Sequence, residues 1–179
     1  MTTHRTTVAV VNKSMMYQKV DAVVNAANPG LADGGGITRV IFEGAGQGLP
    51  DEIKQKYPRG TPTGTAVITG GHGLSQPYII HTPGPVWNQG RSGEAALLAS
   101  SYRSCLEVAD ANGLKSMAFC SLSTGIYGYP LDKAAPIAVK TVQDYLAAHP
   151  DTSLERIVFA MFGEEEYKAF AKACAEATA

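Results

Sequence analysis

The chain has 179 residues, 45% hydrophobic and 17% charged, a balance that suits one globular α/β domain over residues 1–179 with a substantial core. Lys and Arg number 15 against 16 Asp and Glu, scattered without a basic stripe, so duplex nucleic acid and anionic membranes are disfavoured as partners. No apolar run nears the roughly 20 residues that span a bilayer, and the N-terminus lacks a signal peptide's apolar core. A soluble, cytoplasmic and monomeric protein is expected.

In chain order, short apolar runs at Thr6–Val11, Ala22–Asn25, Thr65–Thr69, Tyr78–Thr82, Ser116–Cys120 and Arg156–Ala160 are predicted strands. Helical spacing of Ile37, Val40, Ile41 and Ala45 follows the second strand, and Leu98, Tyr102, Cys105 and Ala109 mark a longer helix. From Leu131 to Ala148, Ala134, Ile137, Ala138, Thr141, Val142 and Tyr145 share one face, and Pro150 follows the end. Tyr167, Phe170, Ala171 and Cys174 define a last helix, and Glu164, Glu165 and Glu166 before it are read as a capping device at the positive end of its dipole. Tyr57–Gly64 and Pro83–Gly93 are rich in Gly and Pro and read as surface loops. Alternating strands and helices predict a mostly parallel sheet covered on both faces, with ligand loops at the strands' carboxyl ends.

Two glycine loops fall at such ends. Asn25-Ala26-Ala27-Asn28 runs into Gly34-Gly35-Gly36 before a helix, and Ser123-Thr124-Gly125-Ile126-Tyr127-Gly128 precedes another. Glycine lets backbone N–H groups approach an anion, and a helix N-terminus adds unsatisfied donors and a favourable dipole. Each loop alone also fits a plain tight turn, but two cradles together suit a diphosphate. The dinucleotide-binding glycine fingerprint and the Lys-containing phosphate loop are both absent from the required strand-to-helix context, which disfavours an ordinary dehydrogenase or nucleotide triphosphatase.

Cys105, Cys120 and Cys174 are odd in number and set in apolar surroundings, which suggests buried reduced thiols. His81 is read as a buried structural histidine bonded to loop backbone, and Asn25 as an amide that ties down neighbouring loop backbone. His4, His72 and His149 show no partner pattern. No Cys/His cluster has zinc-ligand spacing, so neither a metal nor a cofactor is expected.

The order and separation of three segments resemble a macro domain: Asn25 to Gly36, Ile80-His81-Thr82-Pro83-Gly84-Pro85-Val86-Trp87, and Ser123 to Pro130. The similarity runs from about Val8 to the last helix. It implies a three-layer α/β/α sandwich around a mixed, mostly parallel sheet of about six strands. It also implies a cleft for ADP-ribose, and often removal of ADP-ribose from proteins or hydrolysis of O-acetyl-ADP-ribose. Carried over, Asn28 meets the proximal ribose and helps place the attacking water. Gly34, Gly35 and Gly36, with Ile37 behind them, flank the ribose and diphosphate. Ser123, Thr124, Gly125, Ile126 and Tyr127 supply backbone donors to the diphosphate. Tyr127 closes over the ribose, its alternative being a surface turn aromatic. Phe162 packs on the adenosine end, or else caps the core.

Two departures bear on function. Where many macro domains carry Gly-Asp-Ile-Thr, this chain has Lys13-Ser14-Met15-Met16, so Ser14 replaces the carboxylate that accepts the adenine amino group. Where the well-studied hydrolase branch has Val-Asp-Gly-Ala-Ile-His, this chain has Ile37-Thr38-Arg39-Val40-Ile41-Phe42. Thr38 cannot act as a base near neutral pH, and Phe42 can only pack. Spacing does not place Asp33 on the water, and Arg39 is read as a solvated surface residue. The viral branch also lacks the Asp and His yet hydrolyses, which leaves Asn28, Gly35 and Gly36 as the catalytic candidates through water positioning. The readings that stand are an ADP-ribosyl hydrolase acting on mono-ADP-ribosylated protein or O-acetyl-ADP-ribose, and a module that binds ADP-ribose without turnover. A different nucleotide is kept open by Ser14.

Overall fold

A computed structural model describes residues 5–178, so His4 lies outside the described residues. The elements are β1 (Thr7–Val11), a 3₁₀ turn (Met15–Tyr17), β2 (Ala22–Ala27), α1 (Ile37–Ala45), α2 (Gly48–Lys56), β3 (Val67–Gly70), β4 (Tyr78–Pro83), α3 (Glu94–Ala111), β5 (Ser116–Phe119), α4 (Leu131–Ala148), β6 (Arg156–Ala160) and α5 (Glu164–Ala177). Six strands form one sheet in the order β1-β6-β5-β2-β4-β3. Every neighbouring pair is parallel except β3 with β4, so the sheet is mixed and mostly parallel.

Alternate residues of the central strands feed two cores. Val24, Ile80, Met117, Phe119, Ile157 and Phe159 pack under α3, α4 and α5, joined by Leu98, Tyr102, Ala138, Val142 and Phe170. Val23, Ile79, Ala118 and Val158 face the other way, onto Met15, Ile41, Leu49 and Ile53 of the 3₁₀ turn, α1 and α2. The result is a three-layer α/β/α sandwich. Phe159 stands at the centre of the larger core, with ring centroids 5.8 Å from Phe119 and 5.3 Å from Phe170.

The expected strands are all present, with shifted ends. β2 runs two residues past Asn25 because its pairing with β4 continues to Ala27 opposite Pro83. β3 starts at Val67 because pairing with His81 begins there, and β5 stops at Phe119. The helix α2 was not predicted. Only Leu49 and Ile53 of it are buried, one turn apart, and a Gly and a Pro in its first turn mask the pattern. The buried face of α1 is Thr38, Ile41 and Ala45, whereas Val40, expected on the apolar face, is 47% exposed. Pro83, Gly84 and Pro85, expected in a surface loop, are buried at the end of β4.

β5 and β2 are adjacent, but the chain leaves β2 for α1 on one face and leaves β5 for α4 on the other. A crevice opens at such a switch point beyond the strands' carboxyl ends. Both glycine loops sit at this crevice. Replacing the central aromatic, Phe159→Ala, is expected to cost about 3–5 kcal/mol through lost contacts and a residual cavity; urea titration checks this.

Candidate functional site

The loop after β2 is stapled by its own amide. Asn28 donates through Nδ2 to the Ala32 carbonyl at 2.9 Å and accepts from the Ala32 N–H at 3.0 Å through Oδ1. The Leu31 N–H donates to the Asn28 carbonyl at 2.9 Å, with Leu31 buried at a φ of 55°. Thr61 N–H donates to the Pro29 carbonyl at 2.9 Å, and a Cβ at residue 60 would lie 1.9 Å from that same oxygen. Only glycine, at a φ of +69°, fits there. Asp33 accepts from the Gly34 N–H at 2.7 Å and does not line the cleft, so it serves the turn.

The loop then enters α1 through Gly36, whose φ of 60° and ψ of −135° suit glycine. The start of α1 is anchored from below. The Thr38 hydroxyl is shared between Asn25 Oδ1 at 3.1 Å and the Ala26 carbonyl at 2.9 Å. Asn25 Nδ2 donates to His81 Nδ1 at 3.1 Å, so the His81 proton sits on Nε2 and is given to Thr69 Oγ1 at 2.9 Å. Asn25 and His81 are thus structural, as expected, but their partners are buried side chains and not loop backbone.

The loop after β5 is folded on itself. Tyr129 N–H donates to the Ser123 carbonyl at 2.9 Å, Gly128 N–H to Gly125 at 3.0 Å, and Trp87 N–H to Tyr127 at 2.8 Å. Ser121 and Thr124 share a hydroxyl bond at 2.6 Å. Among the described residues, the N–H groups of Gly125, Ile126 and Tyr127 have no protein acceptor. Three consecutive unpartnered N–H groups in a strand-to-helix loop are a feature that suits an anion. Ser123 holds a φ of 66°, and its hydroxyl is buried without a partner among the described residues. Both features cost free energy, on the order of 1–3 kcal/mol each.

These loops border a cleft of about 880 Å³. Ser14, Asn28, Gly34, Gly35, Gly36, Ile37, Ser123, Thr124, Gly125, Ile126, Tyr127 and Phe162 all line it, so every candidate is brought to one site. Phe162 is 78% exposed, which removes the core-capping alternative. Ile126 is 87% exposed, and its Cδ1 lies 3.2 Å from where a Gly35 Cβ would be, so it spans the cleft between the two loops. Thr38 also lines the wall, but its hydroxyl is committed to Asn25 and Ala26.

Sequence reasoning missed Met15, Met16, Tyr17, Val40, Cys120 and Glu166, which line the cleft too. The triplet Met15-Met16-Tyr17 following a strand, and an apolar Val40 beside the buried face of its helix, were the available signals. Glu166, expected in a capping cluster, lies with Glu164 and Glu165 in the first turn of α5. Among the described residues it is nonetheless the one carboxylate in the lining, and none of them brings a Lys, Arg or His to it. Burial raises its carboxyl above the usual range, partly offset by the Phe162 backbone amide.

The three cysteines are unpaired, but only Cys105 is fully buried. Cys120 donates to the Val24 carbonyl at 3.6 Å, and burial pushes its thiol up to about 12, so it is no nucleophile at neutral pH. Two other histidines find partners that the sequence did not suggest. His72 Nε2 lies 2.7 Å from Glu52, and His149 stacks on Tyr145 at 4.0 Å. Arg39 pairs with Glu43 on the exposed face of α1. Glu94, buried at the start of α3, accepts from the N–H groups of Asn88, Gly90 and Ser92 and shapes the 88–92 loop. No group of three or more metal-binding side chains occurs among the described residues. No helix among them is long and apolar enough to cross a membrane.

The family model for the macro domain matches residues 24–138, and the chain belongs to that family. It is 42% identical over 165 residues to a protein of Salmonella gallinarum named O-acetyl-ADP-ribose deacetylase, covering 91% of each chain. Among solved structures it is similar to the Oceanobacillus iheyensis macrodomain with ADP, at a TM-score of 0.86 and 33% identity over 94% of this chain and 90% of that one. It is also similar to the Trypanosoma brucei macrodomain in complex with ADP-ribose, at a TM-score of 0.85 and 38% identity over 92% of this chain and 68% of that one.

Two predictions follow from the anchoring of the loops. Burial lowers the His81 imidazole to about 4, Glu52 opposing weakly, so the folded state keeps it neutral where the unfolded chain binds a proton. Stability is therefore complete above about pH 6.5 and falls towards pH 4, by about 2 kcal/mol between pH 7 and 5 from this group. Urea unfolding of the wild type and of His81→Gln at the two pH values checks it, the variant showing the flatter dependence. Gly60→Ala is expected to destabilise by at least about 1–3 kcal/mol from its backbone conformation alone. Because it also pushes Pro29 away, it should disturb amide signals from Asn28 to Gly36 in an NMR spectrum.

Proposed function

We propose that residues 1–179 act as one macro domain that takes ADP-ribose, free or carried on a mono-ADP-ribosylated protein, in this cleft. The observation that carries the reading is the row of free N–H donors at Gly125, Ile126 and Tyr127 across from the glycine entry to α1, in a cleft without a basic side chain. Such a site holds a diphosphate by backbone dipoles. Asn28, Gly34, Gly35, Gly36 and Ile37 then flank the ribose at one end, and Ser14 and Phe162 lie at the base end. Thiols raised by burial and left unpaired support a cytoplasmic setting, and the gathering of exposed apolar side chains at the cleft supports a monomer.

Turnover is the second reading, favoured by the relative named O-acetyl-ADP-ribose deacetylase. Its chemistry here would be orientation of a water by Asn28 and the backbone of Gly35 and Gly36, since no side-chain base lines that end. Asn28 already staples Ala32, so its removal tests the loop as well as the water.

Calorimetry with ADP-ribose, alongside label release from a mono-ADP-ribosylated acceptor, separates the readings. Binding is expected to weaken by less than about threefold from 50 to 500 mM salt, because no side-chain cation is there to be screened. Release that disappears in Asn28→Ala while binding persists would assign water placement to Asn28. Binding without release leaves the module reading, and absence of both overturns the proposal.

A further inference from the structure

The cleft runs along the carboxyl ends of the strands, so strand order separates its two ends. Ser14 and Phe162 follow β1 and β6 at one of them. At the other, Asn28 follows β2 and Gly84 follows β4, neighbouring strands whose last pair is Ala27 with Pro83. Three segments border this second end: residues 28–36 after β2, 84–93 after β4, and 57–66, which lead into β3. The last is tied to the others, since the Thr61 N–H donates to the Pro29 carbonyl and the Gly64 N–H to the Pro83 carbonyl, both at 2.9 Å. An acceptor protein is joined to ADP-ribose through the distal ribose, which the reading above seats at Asn28. These segments are therefore what a modified acceptor meets.

Only three of the residues in these segments are charged: Asp33, Arg59 and Arg91. Asp33 is balanced within the molecule. It accepts from the Gly34 N–H, and together with Glu43, whose bond is the larger cause, it raises the Arg39 guanidinium above its ordinary range. Arg59 and Arg91 are exposed, and neither guanidinium has an ion-pair partner among the described residues. Their backbones are nevertheless held. Beside Arg59, the Gly60 N–H donates to the Tyr57 carbonyl at 2.9 Å, the Tyr57 hydroxyl donates to the Ile68 carbonyl at 2.7 Å, and Gly60 packs on Pro29 where no Cβ fits. The Arg91 N–H donates to the Asn88 carbonyl at 3.0 Å, and on either side the Glu94 carboxylate accepts from the N–H groups of Asn88, Gly90 and Ser92. Glu94 is 1% exposed, so its charge is engaged on those amides and not on Arg91. The Trp87 N–H, bonded to the Tyr127 carbonyl, sets this loop against the cleft wall.

Two exposed cations on fixed loops, with the one exposed carboxylate balanced elsewhere, leave a net positive border at the ribose end. The cleft inside it has no cation among its described lining residues. Val86, 59% exposed between β4 and Arg91, adds an apolar contact to the same border. Because the backbone is ordered before a partner arrives, docking costs mainly the side-chain freedom of the two arginines. A guanidinium fork matches a carboxylate through two parallel N–H bonds. We propose that this border docks the acceptor protein and selects acceptors whose modified residue lies in an acidic segment, Arg59 and Arg91 each taking a carboxylate. The proposal rests on the ADP-ribose reading above and names the class of acceptor that this site admits.

Calorimetry with free ADP-ribose and with three synthetic peptides tests it. Each peptide carries one ADP-ribose on its middle residue through a hydrolysis-resistant link, flanked by Glu, by Gly or by Lys. At about 50 mM salt the wild type should bind the Glu-flanked conjugate about threefold to tenfold more tightly than the Gly-flanked one, and the Lys-flanked one least tightly. At about 500 mM salt the spread should shrink to about twofold or less. Arg59→Gln combined with Arg91→Gln should abolish the preference while free ADP-ribose binds as to wild type, and Arg59→Glu combined with Arg91→Glu should reverse it. Thermal unfolding should be unchanged in both double variants, since the two side chains are exposed. A wild type that binds the three conjugates within about twofold of one another, or a Gln double variant that keeps the preference, overturns the docking proposal alone. A wild type that binds ADP-ribose but none of the conjugates does the same. Binding of neither ADP-ribose nor any conjugate overturns the ADP-ribose reading and this one with it.

Discussion

The Asn25 side chain accepts from Thr38 at the start of α1 and donates to His81 on β4, which in turn donates to Thr69 on β3. All four side chains are buried. A polar chain in that position is stabilising only when every member is satisfied, and here each has its partner. It fixes the N-terminus of α1 over the ends of the central strands, and with it the glycines whose backbone borders the cleft. Thr38 is thereby used as a structural tie at the position where the hydrolase branch of the resembled family carries an acid.

The cleft built on this anchor works without side-chain charge at its centre. Its donors are backbone N–H groups, and the conformations that expose them are held by local bonds of the Asn28 staple and the Ser123–Tyr129 closure. Strain at Leu31 and Ser123, both non-glycine residues at positive φ, is carried by burial around them. In the proposed reading, shape and dipoles take the place that Lys and Arg hold in other phosphate sites, so the demands fall on close approach. Gly60 and Gly84 show this directly, since a Cβ at either would strike Pro29 O or Ser123 Oγ, at 1.9 and 2.2 Å.

Most of the fold was legible in local periodicity. The span Leu131–Ala148 coincides with α4, and each predicted strand has a counterpart. α2 was not legible because two buried residues beside a Gly and a Pro do not make a detectable stripe. Val40 was misassigned because helical spacing identifies apolar residues without saying which of them faces the sheet and which faces a cleft. His72 and Glu52 are 20 positions apart, and no local pattern could pair them.

The sequence by itself determined the alternation of strands and helices, the two glycine loops at strand ends, and the motif order that marks the family, because these are properties of contiguous residues. The tertiary structure alone decided that Met16 and Tyr17 after β1, and Glu166 in the first turn of α5, join Ser14, Phe162 and those loops in one cleft. Met16, Tyr17, Phe162 and Glu166 meet there because β1 and β6, far apart in the chain, pair in parallel at one edge of the sheet. Strand order is set by long-range packing and crossover geometry, for which no short stretch of residues carries the information.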